Sequence, residues 1–375
     1  MRPEVLHWAN EMETKILDKL QQVADRNVHK IPYTAADGSF DDCSGEKIGW
    51  WTNGFFAGMM WFLYDRRKSS QSLKNALEIE EKLDASFLNY DFLDHDNGFK
   101  WLPTAVINYK ITGSEASLNR GLLAASSLAG RYNTTGKFIR AWNDRTGQDH
   151  RGYAIIDCMM NLPLLYWATD CTGDPRFRQI AENHADTVMN SFIRPDGSVA
   201  HIVEFDPVTG KRLRSHKGQG YEHGSAWTRG QGWGIYGFAL SYRHTKKQEY
   251  LTAACRIAEY FLEHIPENGL IPIDFNQPDS CTWEDSSAAA VAASGLLELS
   301  GLVQASDRER YEEAAVRLLE VLSRKRCRWE TEVDYFLDCC SASYKEAVHE
   351  YPIIYGDFYF IEAVLKINQH AIDIW

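Results

Sequence analysis

Three consecutive segments, Tyr153-Ala-Ile-Ile-Asp-Cys-Met-Met-Asn-Leu-Pro-Leu-Leu-Tyr-Trp-Ala-Thr-Asp170, Cys171-Thr-Gly-Asp-Pro175 and Arg176-Phe-Arg-Gln-Ile-Ala-Glu-Asn-His-Ala-Asp-Thr-Val188, hold the pattern that sets the architecture. The first is apolar nearly all round, the second is a stop followed by a start, and the third is apolar only at Phe177, Ile180, Ala181, His184 and Val188. That last spacing follows a period near 3.6 and predicts an amphipathic helix. The Gly and the Asp-Pro between the two runs are the usual end of one helix and beginning of the next. A helix that is apolar on every side must be surrounded, so the first segment belongs inside and the third outside.

The same hairpin recurs along the chain. Tyr250, Ala254, Ile257, Ala258 and Phe261 form a second outer stripe, Tyr311, Ala314, Ala315, Leu318 and Leu322 a third, and segments from Leu73 and Leu118 have the same character. Turns at Thr112-Gly-Ser, Thr172-Gly-Asp-Pro, Thr245-Lys-Lys and Ser306-Asp-Arg separate the runs. The more apolar partners span 52–65, 98–111, 154–170, 227–243, 284–301 and 356–369. About twelve helices in six pairs predict an all-α, (α/α)6 barrel, an inner ring within an outer ring. The convincing strand signal is Ser198 to Phe205 followed by Asp206-Pro-Val-Thr-Gly210, which predicts a minor β-hairpin in a loop. With no linker, charge block or low-complexity tract, residues 1–375 are expected to form one domain.

Composition narrows the function. A hydrophobic content of 44% with 25% charged residues is that of a water-soluble globular chain, without the ~20-residue apolar stretch a membrane span needs. A net charge of -12 disfavours nucleic-acid and acidic-membrane partners. Acids within Met1 to Glu13 interrupt any secretory apolar block, so no signal peptide is expected. Eight scattered cysteines without a C-x-x-C pair suggest reduced thiols in a cytoplasm. Twelve Trp offer flat faces for sugar rings, although most Trp in a chain of this size fill its core.

In such a ring the N-terminal ends of the inner helices gather round one mouth, and the segments entering it should carry the chemistry. Asp157 stands there in apolar company with no opposite charge within five residues. Lost hydration penalises its charged form and raises its pKa toward that of a general acid, the alternative being an N-cap or a buried, hydrogen-bonded Asp. Asp94-His95-Asp96 precedes Asn97-Gly98 and a helix pattern. It lacks the further ligands of a metal site, which leaves one of these acids as a helix cap or Asp96 as a second pocket carboxylate. Paired acids at a mouth suggest glycosyl chemistry. Arg229, between Trp227 and Trp233, suits a substrate carboxylate or a structural acid. His201 and Gln219 are weaker candidates, and Cys158 lacks an evident His partner for a nucleophile. No G-x-S-x-G elbow, G-x-G-x-x-G or Walker loop is present.

The chain resembles the unsaturated glucuronyl hydrolases of glycoside hydrolase family 88 from near residue 40 to the end. The resemblance rests on Trp51-Thr-Asn-Gly-Phe, His95-Asp-Asn-Gly-Phe, Ile155-Ile-Asp-Cys-Met-Met-Asn-Leu-Pro-Leu-Leu, Thr172-Gly-Asp-Pro, Gly224-Ser-Ala-Trp-Thr-Arg-Gly-Gln-Gly-Trp-Gly-Ile-Tyr-Gly-Phe-Ala-Leu and Asp285-Ser-Ser-Ala. It implies an (α/α)6 barrel, a cytoplasmic enzyme, and substrates made by polysaccharide lyases that end in a 4,5-unsaturated uronic acid. By the same resemblance Asp157 is the general acid/base and Asp96 the second active-site acid. Trp51, His95, Trp142, His201, Gln219, Trp227, Arg229 and Trp233 fall on positions that contact the unsaturated sugar. The implied reaction hydrates the C4=C5 enol ether, so the rule linking carboxylate separation to anomeric stereochemistry does not apply.

Two departures stand out: Asp94 where the family commonly has His, and Asn53 where it often has Asp, which bear on hydrogen bonding around Asp96. Ser341-Ala-Ser343-Tyr-Lys345 is similar to a stretch in members that prefer sulfated glycosaminoglycan disaccharides, so Ser343 and Lys345 either contact a sulfate or lie in a solvated loop. No cofactor and no metal are expected. The expected partner is an unsaturated oligosaccharide, with no nucleic acid and no membrane, and the expected state is a monomer or homodimer. Alternatives are an unsaturated rhamnogalacturonyl hydrolase acting on pectin fragments, a sugar epimerase on the same toroid, and a carbohydrate-binding toroid without turnover.

Overall fold

The computed structural model describes residues 1–144, 147 and 149–375. In chain order its helices are α1 (Pro3–Arg26), α2 (Phe55–Arg67), α3 (Ser70–Lys82), α4 (Asn97–Trp101), α5 (Ile107–Thr112), α6 (Glu115–Ala129), α7 (Pro163–Thr172), α8 (Pro175–Phe192), α9 (Thr228–Thr245), α10 (Gln248–Glu263), α11 (Ser286–Ser300), α12 (Ala305–Lys325) and α13 (Ile354–Ile367). A π-helical turn at Leu102–Val106 joins α4 to α5 into one inner element. Pro103 within it cannot donate to the ladder, which is the physical occasion for the wider turn.

The inner ring closes on itself. α2 packs on the α4–α5 unit, that unit on α7, the segment before α7 on α9, α9 on α11, α11 on α13, and α13 back on α2. Apolar surface on every side of these helices is what requires this: all of α13 except Lys366 is buried, as is α11 from Ser286 to Leu296. Outside stand α3, α6, α8, α10 and α12, each with one buried stripe, and α1 completes the outer ring by packing on α13, α2 and α3. The chain is therefore an (α/α)6 barrel, and one contiguous apolar cluster runs from Val5 to Trp375.

Turn chemistry follows the sequence at most hairpins. Gly113 and Gly173 take left-handed conformations after α5 and α7, and Ser114 and Asp174 cap α6 and α8. Ser306-Asp-Arg is a correction: it lies in the first turn of α12 and the break falls earlier, at Gly301 to Gln304. An acid in a first turn is favoured by the helix dipole, so Asp307 marked the helix rather than the loop.

A second correction bears on the site. The stretch predicted as helix from 154 begins as a strand, Tyr153–Ile155, then makes a 3-10 turn, Ile156–Met160, before α7 starts at Pro163. Pro163 would break a helix running through it, and β-branched Ile155 suits extended backbone. This strand pairs antiparallel with Ile202–Phe205, which pairs with Arg212–His216 across the expected hairpin turn.

Candidate active site

The small sheet places Asp157 beside His201. Ile155 pairs with Ile202, and the backbone N–H of Ile156 donates to the His201 carbonyl at 3.0 Å. Asp157, two residues beyond that pair, points into a cavity of about 410 Å³ at the barrel mouth. Eight of the sequence-predicted residues line it: Asp157, Asp96, Trp51, His95, Trp142, His201, Gln219 and Arg229.

Asp157 is no helix cap, because the capping position of its 3-10 turn is Ile155 and no side chain caps it. Its Oδ1 is buried without a hydrogen-bond partner, 3.6 Å from His201 Nε2. Burial raises its carboxyl to about 7, against a smaller opposing pull from Arg229. Asp96 is also pushed well above the usual range, by burial first and then by the charges of Asp94 and Asp157. It occupies the capping position of α4 without a capping bond, and Asp94 instead accepts the Asp96 backbone N–H at 2.9 Å. Two neighbouring acids in one largely buried wall cannot both ionise cheaply, so the pair holds a proton more readily than a free carboxylate does.

His201 has a fixed tautomer. Its Nδ1 accepts the backbone N–H of Gln219 at 2.9 Å, which leaves the ring proton on Nε2, facing Asp157. Burial and then Arg229 hold its pKa far down, so the ring stays neutral. Gly218 is required for this: a Cβ there would lie 1.8 Å from His201 Nδ1, and its φ is +60°. Burial likewise holds His95 at about 4, with Nε2 3.4 Å from Asp96 Oδ2.

Arg229 is almost wholly committed. Its terminal nitrogens donate to Asp285 at 2.5 Å, Ser287 Oγ at 3.1 Å and the carbonyls of Ser341 and Ala342 at 2.7 and 2.5 Å. The structural-acid alternative describes these bonds, while the guanidinium still borders the cavity. Trp227 and Trp233 do not border it. Trp227 lies behind, 4.3 Å from the His201 ring and 4.7 Å from the Arg229 guanidinium, and Trp233 packs in the core on Phe99 and Tyr359. Ser343 is buried and Lys345 exposed on a strap beside the mouth, outside the cavity lining. The strap is stitched to it by Gln219 Nε2 donating to the Ala342 carbonyl and by the Tyr344 N–H donating to the Gln219 carbonyl.

Sequence reasoning passed over Asn161. Its amide nitrogen donates to the Asp157 carbonyl at 3.2 Å and reaches Asp96 Oδ1 at 3.4 Å, while its oxygen accepts the Phe99 N–H at 2.8 Å. A lone polar residue in the same apolar run as Asp157, it carried the same signal. Glu46, Lys47, Trp50 and Asp91 at the outer wall were also missed, for exposed residues in a loop leave no periodic trace. Asn53 donates to the Lys47 and Ile48 carbonyls, so its role is to hold that wall rather than Asp96. Cys158 is a buried thiol pushed well above its ordinary pKa, unsuited to a nucleophile. Among the described residues no cluster of His, Cys, Asp and Glu is placed to hold a metal, and no helix is long and apolar enough to cross a membrane.

Residues 18–373 match the model of Glycosyl Hydrolase Family 88. The chain is 35% identical to an unsaturated glucuronyl hydrolase of Bacillus sp. (strain GL1) over 87% of its own length and 88% of that protein's. It is also 35% identical to an unsaturated chondroitin disaccharide hydrolase of Streptococcus agalactiae serotype III (strain NEM316), over 85% and 81%. The crystal structure of the Bacillus sp. GL1 enzyme, described as responsible for the degradation of glycosaminoglycan, superposes with a TM-score of 0.88 at 32% identity, covering 95% of this chain and 97% of that one. A mutant Streptococcus agalactiae unsaturated glucuronyl hydrolase complexed with dGlcA-GalNAc6S superposes with a TM-score of 0.81 at 29% identity, covering 98% and 93%. With the motifs, the ring and the relatives agreeing over nearly the whole sequence, the chain belongs to glycosyl hydrolase family 88.

Proposed function

We propose that this protein releases the 4,5-unsaturated uronic acid from the non-reducing end of lyase-generated glycosaminoglycan oligosaccharides, by acid/base-catalysed hydration of the C4=C5 enol ether. The observation that carries the reading is Asp157: a carboxyl raised to about 7 by burial, with an unpartnered oxygen facing a cavity, is a proton donor held ready at neutral pH. Protonated Asp157 gives its proton to C4, and water adds at C5 while the new Asp157 carboxylate takes up the proton that water loses. The C5 hemiketal then opens, and C1 releases the leaving sugar, leaving an open-chain keto acid. The acid is regenerated in one turnover.

Neutral His201, with its N–H directed at Asp157, and Asp96 with His95 border the space where that water would sit. Trp51 and Trp142 offer indole walls to the planar ring, whereas Trp227 and Trp233 support the site from behind. Arg229 acts on the substrate carboxylate mainly through its charge, since Nη1 is held by Asp285, Ser287 and the Ser341 carbonyl and Nη2 gives one bond to the Ala342 carbonyl. The glycosaminoglycan class is favoured over pectin fragments by the relatives' names and by the dGlcA-GalNAc6S complex. Ser343 and Lys345 are assigned to a sulfate on the leaving sugar, the whole chain to one working unit, and its location to the cytoplasm.

The test is loss of the substrate's ultraviolet enol absorbance across lyase-generated disaccharides. Wild type should consume them while Asp157→Asn, still folded, should not; near-normal turnover by the mutant would sink the assignment. Lys345→Ala should raise KM for sulfated disaccharides alone by roughly twofold to fivefold, as for an exposed ion pair. An unchanged preference between sulfated and unsulfated substrates would remove Lys345 from the site.

A further inference from the structure

The cavity has a deep half and an outer half of different make-up. His95, Asp96, His201 and Arg229 are buried, while Trp50, at the rim of the same cavity, has 43% of its surface exposed. An indole left open at the mouth of a polar cavity wants an explanation, because most of the chain's other large apolar side chains are covered.

Trp50 is held rather than loose. Its backbone N–H donates to the Lys47 carbonyl at 2.8 Å, and the buried Asn53 amide binds the carbonyls of Lys47 and Ile48, both at 2.9 Å. Gly49 lets this turn lie directly on Phe92, since a Cβ there would come 2.2 Å from that ring. The indole is braced edge-on by Tyr33, at 5.7 Å and 80°, and the Tyr33 hydroxyl is bonded to Tyr351 at 3.3 Å. An aromatic side chain with a braced edge and an exposed body is a preorganised platform for a flat apolar ligand face. The deep half, with Asp157, accounts for the unsaturated ring; the next sugar outward must pass the rim.

Resting on the function proposed above, we infer that Trp50 is the stacking platform for the leaving sugar, the pyranose released when the unsaturated uronate is removed. Glu46, Lys47 and Asp91 also border the rim on this wall. The sugar turns its flat C–H face toward the Trp50 indole.

The test compares two substrates that share the unsaturated uronate: a disaccharide, and the methyl glycoside, which has no leaving sugar. Trp50→Ala should lower kcat/KM for the disaccharide by roughly fivefold to tenfold, mostly through KM, the size of one aromatic contact. The methyl glycoside should stay within about twofold of wild type, because its contacts lie in the deep half. Trp50→Phe, which keeps a ring, should recover most of the loss. An equal fall on both substrates would make Trp50 a structural prop, and no fall on either would remove it from the binding path; each overturns the proposal. If wild type consumes neither substrate, the proposed function fails and this inference fails with it.

Discussion

The two ends of the barrel bury carboxylates equally well and treat them in opposite ways. At the floor, Glu298 has 12% of its side chain exposed; at the mouth, Asp157 has 16%. Burial pushes both upward, but Lys366 at 2.9 Å and Arg243 at 3.0 Å overcome it at Glu298 and hold that carboxyl down at about 2, whereas Asp157 stays at about 7. The floor cavity is the larger, about 660 Å³ against about 410 Å³, yet its charges answer one another. Lys366 also reaches the Tyr236 hydroxyl, Arg243 bonds the backbone carbonyl of Trp375, and the Trp375 indole donates to Glu362 at 2.6 Å. A closed network fixes the inner helices at that end, while an open one at the other end leaves a proton available. Cavity size does not locate the chemistry; unmet polar capacity does.

Asp357 sharpens the point. It too is buried and raised to about 7, but both its oxygens accept backbone N–H groups, from Leu337 at 2.7 Å and Phe336 at 3.0 Å. A raised pKa with satisfied oxygens anchors a loop. Only together with an unpartnered oxygen in a cavity does it suggest catalysis.

The comparison breaks most visibly at Asp157. Asp157→Asn should cut turnover by about a thousandfold, the range of a lost general acid, with unchanged circular dichroism. Its effect on stability has the opposite sign. A carboxyl raised from 3.8 to about 7 makes the folded state hold the extra proton, so its contribution worsens as pH rises through that window and levels off above it. The mutant should therefore melt higher than wild type at pH 8 and lose that advantage toward pH 4. Glu298→Gln should do the reverse. The pairing of Glu298 supports folding above its ordinary 4.5 and is lost as pH falls through about 2. At neutral pH the mutant should lose about 3 kcal/mol in denaturant melts, the cost of breaking a buried pair, with turnover nearly intact. A catalytic collapse with normal stability would erase the contrast.

Asn161→Ala is the gentler test, because Asn161 touches the carbonyl of one acid and the carboxylate of the other. Its loss should lower kcat about tenfold, raise the Asp96 pKa further and displace the corresponding limb of the pH–rate profile upward. A loss of stability without a moved profile would assign Asn161 to packing alone.

Most of this architecture was legible in the sequence, because inner and outer helices differ in kind: α13 is apolar nearly all round and α8 only along a stripe. The strand at Tyr153–Ile155 was not, since a short apolar run reads equally as strand or helix until Pro163 is weighed. α1 was passed over as an outer helix, its Pro3–Arg26 stretch having been read only for its acids. Within the site, Asp157 announced itself by charge in apolar company. Trp233 misled for the opposite reason: from Thr228 to Ser241 of α9 every side is buried, so no periodicity tells the face toward the cavity from the face toward Phe99. Arg229 shows a further limit, for its partners Asp285, Ser341 and Ala342 lie far along the chain and only the folded ring brings them to it.

The central claim is that Asp157 holds its proton up to about neutral pH because its Oδ1 is buried without a hydrogen-bond partner. An infrared titration of its carboxyl band, taken as the difference between wild type and Asp157→Asn, tests this directly. The protonated band should disappear with a midpoint at about 7, and a midpoint near the ordinary 3.8 would contradict the account.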